Sequence, residues 1–536
     1  MVSDRDLYAR VGVAQIPHIL SMVDRNLLSP TYGCFDRSYW HYKTSSFPSG
    51  MYQEFVLPLA LAFLHPLPGG EQFYNQSRLR ELVVAGIRYA AVSSHRDGSC
   101  DDYFPYERAL GAAAFSLYAC TEGYLLLGLS GEDLVAFFRK RGGWLMERQE
   151  AGRLSNHHAL VVLALYNVYL ITGDATYLHG ARRRLQMLLS WQSEEGWFPE
   201  YEGCDPGYLT ATIDFLAKYL RKSNDETVIE PLKAAVLFAR QFMHPDGSFG
   251  GEYGSRNTCI FFPHGFELMG DFLPEAIETA ELYLMGVSRG RQVHLEDDRM
   301  CAHLAYDHIQ AYLDFHRRPS ERPASRGSLG RRYWQTAQIY VHSAGDRHAV
   351  ISAAKGGVIR LYVAGELAYG DSGIIARLSD GTTLVSHRMG GHEVILLEDG
   401  IQVAGRFSRC RFRLPTPLKQ VIFHMGMLTV GRWGSDLVRL LLQRVLIVGD
   451  LKDPMRFRRT FHMGPPSIMV DEIWTGGGAR DARKVTQLYA GTDHTSIYVA
   501  MSNSFQSACL LPWTDYGEHL EELNRNGYVR IERRIG

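Results

Sequence analysis

Five short segments in the first half of the chain concentrate side chains that bind anions, stack on sugars or move protons. Tyr32–Lys43 holds Asp36, Arg37, Trp40, His41, Tyr42 and Lys43, and Asp101–Arg108 holds Asp102, Tyr103, Tyr106, Glu107 and Arg108. Ser155-Asn156-His157-His158 follows, then Glu200–Tyr208 with Tyr201, Glu202 and Asp205, and finally Glu252–Asn257 with Arg256, continuing to His264 and Glu267. Acids, arginines, histidines and tyrosines gathered on one rim suit a polyhydroxylated, acidic chain. Asn156 offers an amide donor for a carboxylate. Ser155 or Asn156 is placed to cap the apolar helix that follows. A histidine in that first turn, His157, sits at the positive end of the helix dipole, which favours the neutral imidazole a general base needs. A phenol such as Tyr208 or Tyr201 serves as an acid, or as a base when a cation such as Arg256 lowers its pKa. Substrate contacts are expected from Arg256, Asn257, His158, Tyr201, Glu202, Tyr103, Asp102, Arg108, Trp40, Tyr42 and His264. The carboxylates Asp101, Asp102, Glu107, Glu200, Glu202 and Asp205 offer a second chemistry, since an acid–base pair ~6.5–9.5 Å apart hydrolyses a glycosidic bond with inversion.

The elements that must position these groups are legible as patterns. Apolar residues recur at three- and four-residue spacings over Arg80–Val92, Ala109–Leu126, His158–Ile171, Leu209–Leu220, Pro231–Phe242 and Ala302–Phe315, which predicts helices. Turn motifs punctuate them at Asp97-Gly98-Ser99, Gly142-Gly143-Trp144, Glu195-Gly196-Trp197 and Asp246-Gly247-Ser248, with glycine intervals of 45, 53 and 51 residues. A period of ~50 residues fits one helical hairpin plus a loop, and stacked hairpins give a solenoid or a closed α/α toroid. The polar-aromatic loops then gather on one face. Beyond the polar stretch 317–332, the segments Gln338–His342, Gly357–Val363, Thr383–His387, Val394–Leu397 and Ser496–Ala500 read as short strands. The expected architecture is an N-terminal (α/α) toroid of helical hairpins over residues 1–320, followed by a C-terminal antiparallel β-sandwich over residues 333–536.

This combination resembles the heparinase II/III-like group of polysaccharide lyases and the related uronyl epimerases. Asn156-His157 at a helix start is similar to that group's Asn-His pair. Glu195-Gly-Trp-Phe-Pro-Glu-Tyr-Glu-Gly-Cys-Asp-Pro-Gly-Tyr208, running into Leu-Thr-Ala-Thr-Ile-Asp-Phe-Leu, is similar to its loop ending in a catalytic Tyr on a helix. The resemblance implies that Tyr208, rather than Tyr201, is catalytic with His157 and Asn156. The implied chemistry starts at the weakly acidic C5 proton of a uronate. Asn156, with Arg256, neutralises the carboxylate and stabilises the enolate-like intermediate. His157 or Tyr208 removes the proton, and Tyr208 protonates the departing oxygen, leaving an unsaturated uronate. Reprotonation from the opposite face gives a C5 epimerase instead. One departure stands out. The group's β domain carries a His-rich segment ahead of a Gly-Asp-x-Gly-like turn. Here the turn is present at Tyr369-Gly370-Asp371-Ser372-Gly373, but the stretch Ser352–Arg360 holds no histidine. The β-domain histidine and its occasional metal site are therefore not carried over. Without that motif, a non-catalytic glycan-binding protein stands beside the lyase, epimerase and inverting hydrolase as an alternative.

Bulk properties exclude other classes. The formal net charge is −1 over 536 residues, which argues against a nucleic-acid-coating protein and gives no reason to expect general adhesion to an anionic membrane. It leaves room for an acidic glycan held by local cations such as Arg37, Lys43, Arg108 and Arg256. At 46% hydrophobic and 21% charged residues the chain is globular rather than disordered. The eight cysteines form no C-x-x-C pair and are expected to be buried and reduced. Neither a signal peptide nor an uninterrupted apolar stretch of ~18 residues is seen, so the default expectation is a cytoplasmic enzyme without cofactor or metal. The oligomeric state is left open.

Overall fold

The computed structural model describes residues 4–535 apart from 151, 202, 295–298, 319–329, 411–413, 415, 433, 435–437, 439–450, 465–467, 476–483, 494–503 and 507–509. Six inner helices form a closed ring: Val56–Leu64, Leu110–Leu126, Ser155–Thr172, Pro206–Ser223, Pro263–Met269 and Cys301–Leu313, the last packing back on the first. Each carries an outer partner, in order Ser77–Val92, Glu132–Glu147, Ala175–Leu189, Ile229–Ala239, Pro274–Ser288 and the N-terminal Asp4–Val13. Using the first helix as the last outer partner is what closes the toroid. Inner helices such as Leu110–Leu126 and Ser155–Thr172 are buried on all sides, so their sequences are apolar all round. The outer helices keep a wet face and read as amphipathic.

Three of the four glycine motifs are turns, and the fourth, Gly142-Gly143, is helical. Gly98, Gly196 and Gly247 take positive φ in tight turns. Gly142 and Gly143 instead lie inside the outer helix Glu132–Glu147. A Cβ on Gly142 would meet the Tyr177 ring at 3.0 Å, so this glycine lets two helices approach rather than turning the chain. The corresponding connection is Arg148–Leu154. All the polar-aromatic loops are outer-to-inner connections, and they therefore sit at the N-terminal ends of inner helices. Free N–H groups and helix dipoles make that face attractive to anions.

The β domain is a sandwich. Strands Gly330–Trp334, Ile339–Ala344, Arg347–Ser352, Val358–Val363 and Glu366–Asp371 form a five-stranded antiparallel meander. A nine-stranded sheet, centred on Gly400–Cys410 and Lys452–His462, covers one of its faces, where Tyr340, Ile351, Ile359 and Leu361 meet Ile401, Val403 and Phe461. The other face, with Ile339, Val341, Val350 and Val358, joins the toroid core. Burial on both faces explains the near-continuous apolar character of these strands. The expected strand Ser496–Ala500 lies outside the described residues. In the turn 369–373, Asp371 is a core ion partner: it accepts from Arg459 Nη1 and Nη2 at 3.0 and 2.7 Å, and both side chains are buried. The described cysteines Cys34, Cys100, Cys120, Cys204, Cys259, Cys301 and Cys410 are free thiols.

Candidate active site

The inner helix Ser155–Thr172 is not capped as its sequence suggests. Leu154 occupies the N-cap position with no side-chain bond, and Ser155 Oγ donates instead to the Pro199 carbonyl at 2.6 Å. The acceptor at this helix start is Glu200. Its Oε1 accepts from both Asn156 N and Asn156 Nδ2, each at 2.9 Å. A carboxylate in the neighbouring hairpin thus satisfies the first-turn N–H and fixes the amide. Glu200 is fully buried, and that burial raises its carboxyl to about 7 against the opposing pull of Arg256 and the Asn156 bonds.

Asp205 organises the next two segments. As N-cap of Pro206–Ser223 it accepts from Tyr208 N at 3.0 Å, with proline at the first helical position. Its other oxygen, Oδ2, accepts from Arg256 N at 2.8 Å, and Thr258 Oγ1 donates to the capping oxygen Oδ1. One carboxylate therefore ties the start of Tyr208's helix to the loop bearing Arg256. The Arg256 guanidinium lies 4.0 Å from the centroid of the Tyr201 ring and 5.2 Å from that of Tyr208. Burial raises the Tyr208 phenol well above its ordinary pKa while Arg256 works in the opposite direction, so the group is a neutral phenol at physiological pH.

His157 flanks this patch. Its Nδ1 lies 2.7 Å from Glu150 Oε2, and its side chain keeps 23% exposure. A Cβ on Gly111 would come within 2.7 Å of the imidazole, so only glycine leaves room for the ring. The far side of Phe115, which meets His157 edge-on at 6.1 Å, touches His303 at 5.1 Å. His303 is in turn paired with Glu54 (Nδ1–Oε2 3.1 Å). Glu150, Glu54 and His303 escaped sequence reasoning because nothing local marks them. Arg299 did too: it covers the Tyr103 ring at 4.4 Å and donates to Asp102 at 3.2 Å. Asp102 also accepts from Ser49 Oγ at 2.6 Å, and Ser49 N donates to Asp36, so the first two segments are braced together.

Several expected site residues serve the scaffold instead. His158 is a core histidine: its Nδ1 accepts from Arg184, its ring packs on Trp191, and burial, then Arg184, lowers its pKa to about 3. Arg108 pairs with Asp97 at 3.2 Å within the preceding turn. Trp40 donates to the Met22 carbonyl, and the Tyr42 hydroxyl accepts from Arg37. Asn257 is turned toward Lys355, whose ammonium it accepts together with the carbonyls of Glu252 and Gly254. Arg360 grips both oxygens of Glu252 at 2.9 and 3.0 Å. In place of histidines, Ser352–Arg360 thus supplies two cations that pin the Arg256 loop. The candidate hydrolytic acids are also committed. Asp101 accepts from the Tyr106 and Arg108 amides, Glu107 from those of Asp102 and Tyr103, and Asp205 caps its helix. Glu202 lies outside the described residues.

His264 belongs to a buried ionic cluster inside the ring. Its Nε2 lies 2.9 Å from Asp314, a residue also paired with Arg221, which sits ~20 Å along the helix from Tyr208 at 1.5 Å per residue. Asp214, His264 and Asp307 place ligand-type atoms within 4.8 Å of one another. The Lys218 ammonium lies 2.6 Å from Asp214 and 3.5 Å from Asp307, and burial together with Asp214 pushes the Asp307 carboxyl well above its ordinary range, so the cluster fits an internal ion pair beside a neutral acid better than a cation site.

No protein-family profile matches the sequence, and no curated protein matches it. Solved structures do. A chondroitin AC lyase of Streptomyces coelicolor A3, determined in complex with chondroitin sulphate, aligns over 91% of this chain and 68% of its own, with TM-score 0.51 and 10% identity. A heparinase III aligns over 100% of this chain and 85% of its own, with TM-score 0.50 and 10% identity. The toroid-plus-sandwich fold is theirs. In both alignments the shared feature is the architecture, since identity at this level carries no residue-by-residue correspondence. Among the described residues, no helix is long and apolar enough to cross a membrane.

Proposed function

We propose that this chain is a polysaccharide lyase that cleaves a uronic-acid-containing glycan by β-elimination. The observation that carries it is the packing of Arg256 against the rings of Tyr201 and Tyr208, in a loop tied through Asp205 to the same helix start. Glu200, whose ionisation feels Arg256, fixes Asn156 beside it. The patch combines a cation and an amide donor for a carboxylate with a protonated phenol for a leaving oxygen. The fold shared with a chondroitin AC lyase and a heparinase III supports an acidic polysaccharide as substrate.

In this scheme Arg256 and the second Nδ2 hydrogen of Asn156 hold the uronate carboxylate and stabilise the charge that develops on C5 deprotonation. His157 is the base. With Nδ1–H directed at Glu150, its Nε2 keeps the lone pair that takes the C5 proton. The C4–O4 bond breaks, the C4–C5 double bond forms, and the electron pair left on O4 takes the Tyr208 proton. No water is consumed. The test is wild-type and Tyr208→Phe enzyme on a panel of uronate polysaccharides. An ultraviolet-absorbing unsaturated product from wild type alone supports the scheme; reducing ends that appear without such absorbance would show hydrolysis and reject it.

A further inference from the structure

The loop that carries Arg256 is held from two sides by groups of opposite charge. On the toroid side Asp205 collects donors: the Arg256 amide and the Thr258 hydroxyl. On the β-domain side Lys355 collects acceptors. An ammonium has three hydrogens, and three oxygens receive them: the Glu252 carbonyl, the Gly254 carbonyl at 2.9 Å and the Asn257 side-chain oxygen. These acceptors flank Arg256 in the chain on both sides. Asn257 adopts a left-handed φ of 57°, which Asn tolerates better than most residues. Lys355 reaches the loop from the turn between strands Arg347–Ser352 and Val358–Val363. That turn is itself braced, since Gly390 N donates to the Ala354 carbonyl at 3.0 Å. Five residues further on, Arg360 extends the same hold to Glu252 and to the Gly250 carbonyl at 3.1 Å.

Packing alone does not account for a lysine at this position. Lys355 is 1% exposed. Burial lowers its ammonium from an ordinary 10.5 to about 8; Glu252 and Asp205 favour the charge and Arg388 opposes it. A methionine would fill a similar space without desolvating a cation. What only the ammonium supplies is three donors converging on the loop. We propose that Lys355 is a positioning residue of the cleft: its ammonium, contributed by the β domain, fixes the Arg256 loop so that the guanidinium stands where the uronate carboxylate binds. The inference rests on the role given to Arg256 under the proposed function. A neutral amine keeps two N–H groups for three acceptors, so one oxygen is left facing a lone pair. The hold is therefore complete well below pH 8 and is lost as the pH rises through the folded-state value.

Hydrogen exchange of the full chain, read by mass spectrometry on peptides spanning 250–258, tests this without any substrate. After correction for the intrinsic pH dependence of exchange, protection of the loop in wild type should fall at least about tenfold between pH ~7 and ~9.5, where a group titrating near 8 stays only ~3% charged. Helix Ser155–Thr172 should keep its protection over the same range. Lys355→Met should show the lowered loop protection already at pH ~7, with no further step. Asn257→Gly removes one acceptor, keeps the left-handed backbone unstrained and should lose part of the protection. On a uronate polysaccharide that wild type degrades, Lys355→Met should lower kcat/KM by about 10–10²-fold, and the alkaline fall of wild type near pH 8 should be absent from its profile. Loop protection that is the same in wild type and Lys355→Met at both pH values overturns the proposal, and so does an unchanged kcat/KM. A wild type that degrades no uronate polysaccharide rejects the reading of the cleft instead, and the exchange data then decide by themselves whether Lys355 holds the loop.

Discussion

Replacing Glu200 by glutamine removes a titration that the structure makes unfavourable. Burial raises this carboxyl from an ordinary 4.5 to about 7. Below pH 4.5 the group is neutral in both folded and unfolded chains and costs nothing. Between 4.5 and 7 the unfolded chain releases the proton while the folded chain keeps it, so stability falls as pH rises. Above 7 the loss is complete, and at ~1.4 kcal/mol per pH unit across that window it amounts to about 3 kcal/mol. Glutamine has the same shape, and its carbonyl oxygen can accept both Asn156 N–H groups as Oε1 now does. Glu200→Gln should therefore match wild type to within about 1 kcal/mol at pH 5 and exceed it by about 3 kcal/mol at pH 8.5. Urea unfolding followed by tryptophan fluorescence at several pH values measures the gap. A gap that stays constant with pH, or a wild type more stable than the variant at pH 8.5, would refute the assignment of Glu200 as a buried carboxyl whose pKa is raised to about 7.

Three further outcomes follow from the same contacts. Tyr208→Phe should lower kcat by ~10²–10⁴ with little change in melting temperature, because it removes a proton donor and, among the described residues, none hydrogen-bonds its hydroxyl. Asp205→Ala should cost about 3–5 kcal/mol in thermal or urea unfolding: it deletes a helix cap worth ~1 kcal/mol and strands the buried Arg256 amide and Thr258 hydroxyl. Asp371→Asn should cost a similar ~3–5 kcal/mol at neutral pH by leaving Arg459 buried beside one fewer anion. Burial pushes the Asp371 carboxyl up, but Arg459 and Arg533 outweigh it and hold it below the usual range. Its stabilisation is thus present above the unfolded carboxylate pKa of ~3.9 and fades as pH falls below it, so the wild-type advantage over Asp371→Asn should shrink in acid.

Helices and the overall architecture were legible because periodicity reports burial. The runs Leu209–Leu220 and Ala109–Leu126 lie within observed inner helices, and the two-faced strand Val358–Val363 reads apolar because both of its faces are covered. Gly142–Gly143 misled because glycine marks close helix approach as readily as a turn. His157 and His158 look equivalent in sequence, yet adjacent residues on a helix diverge by ~100°, so one faces Glu150 and the other the Arg184 side of the core. Asn257 and Arg108 looked available because their partners, Lys355 and Asp97, are fixed by the fold. Glu200 was read as a hydrolytic acid; its role at the start of a helix 44 residues away depends on a hairpin contact that no local pattern encodes.

The most direct test of the central claim follows hydrogen at C5. Wild-type protein is incubated in heavy water with uronate polysaccharides, and the products are read by mass spectrometry and proton resonance. The account predicts chain-shortened products ending in an unsaturated uronate, formed by wild type and lost in Tyr208→Phe, with glycan binding retained by the variant. Products that have gained water, or substrates recovered intact with no unsaturation and no deuterium at C5, would contradict it.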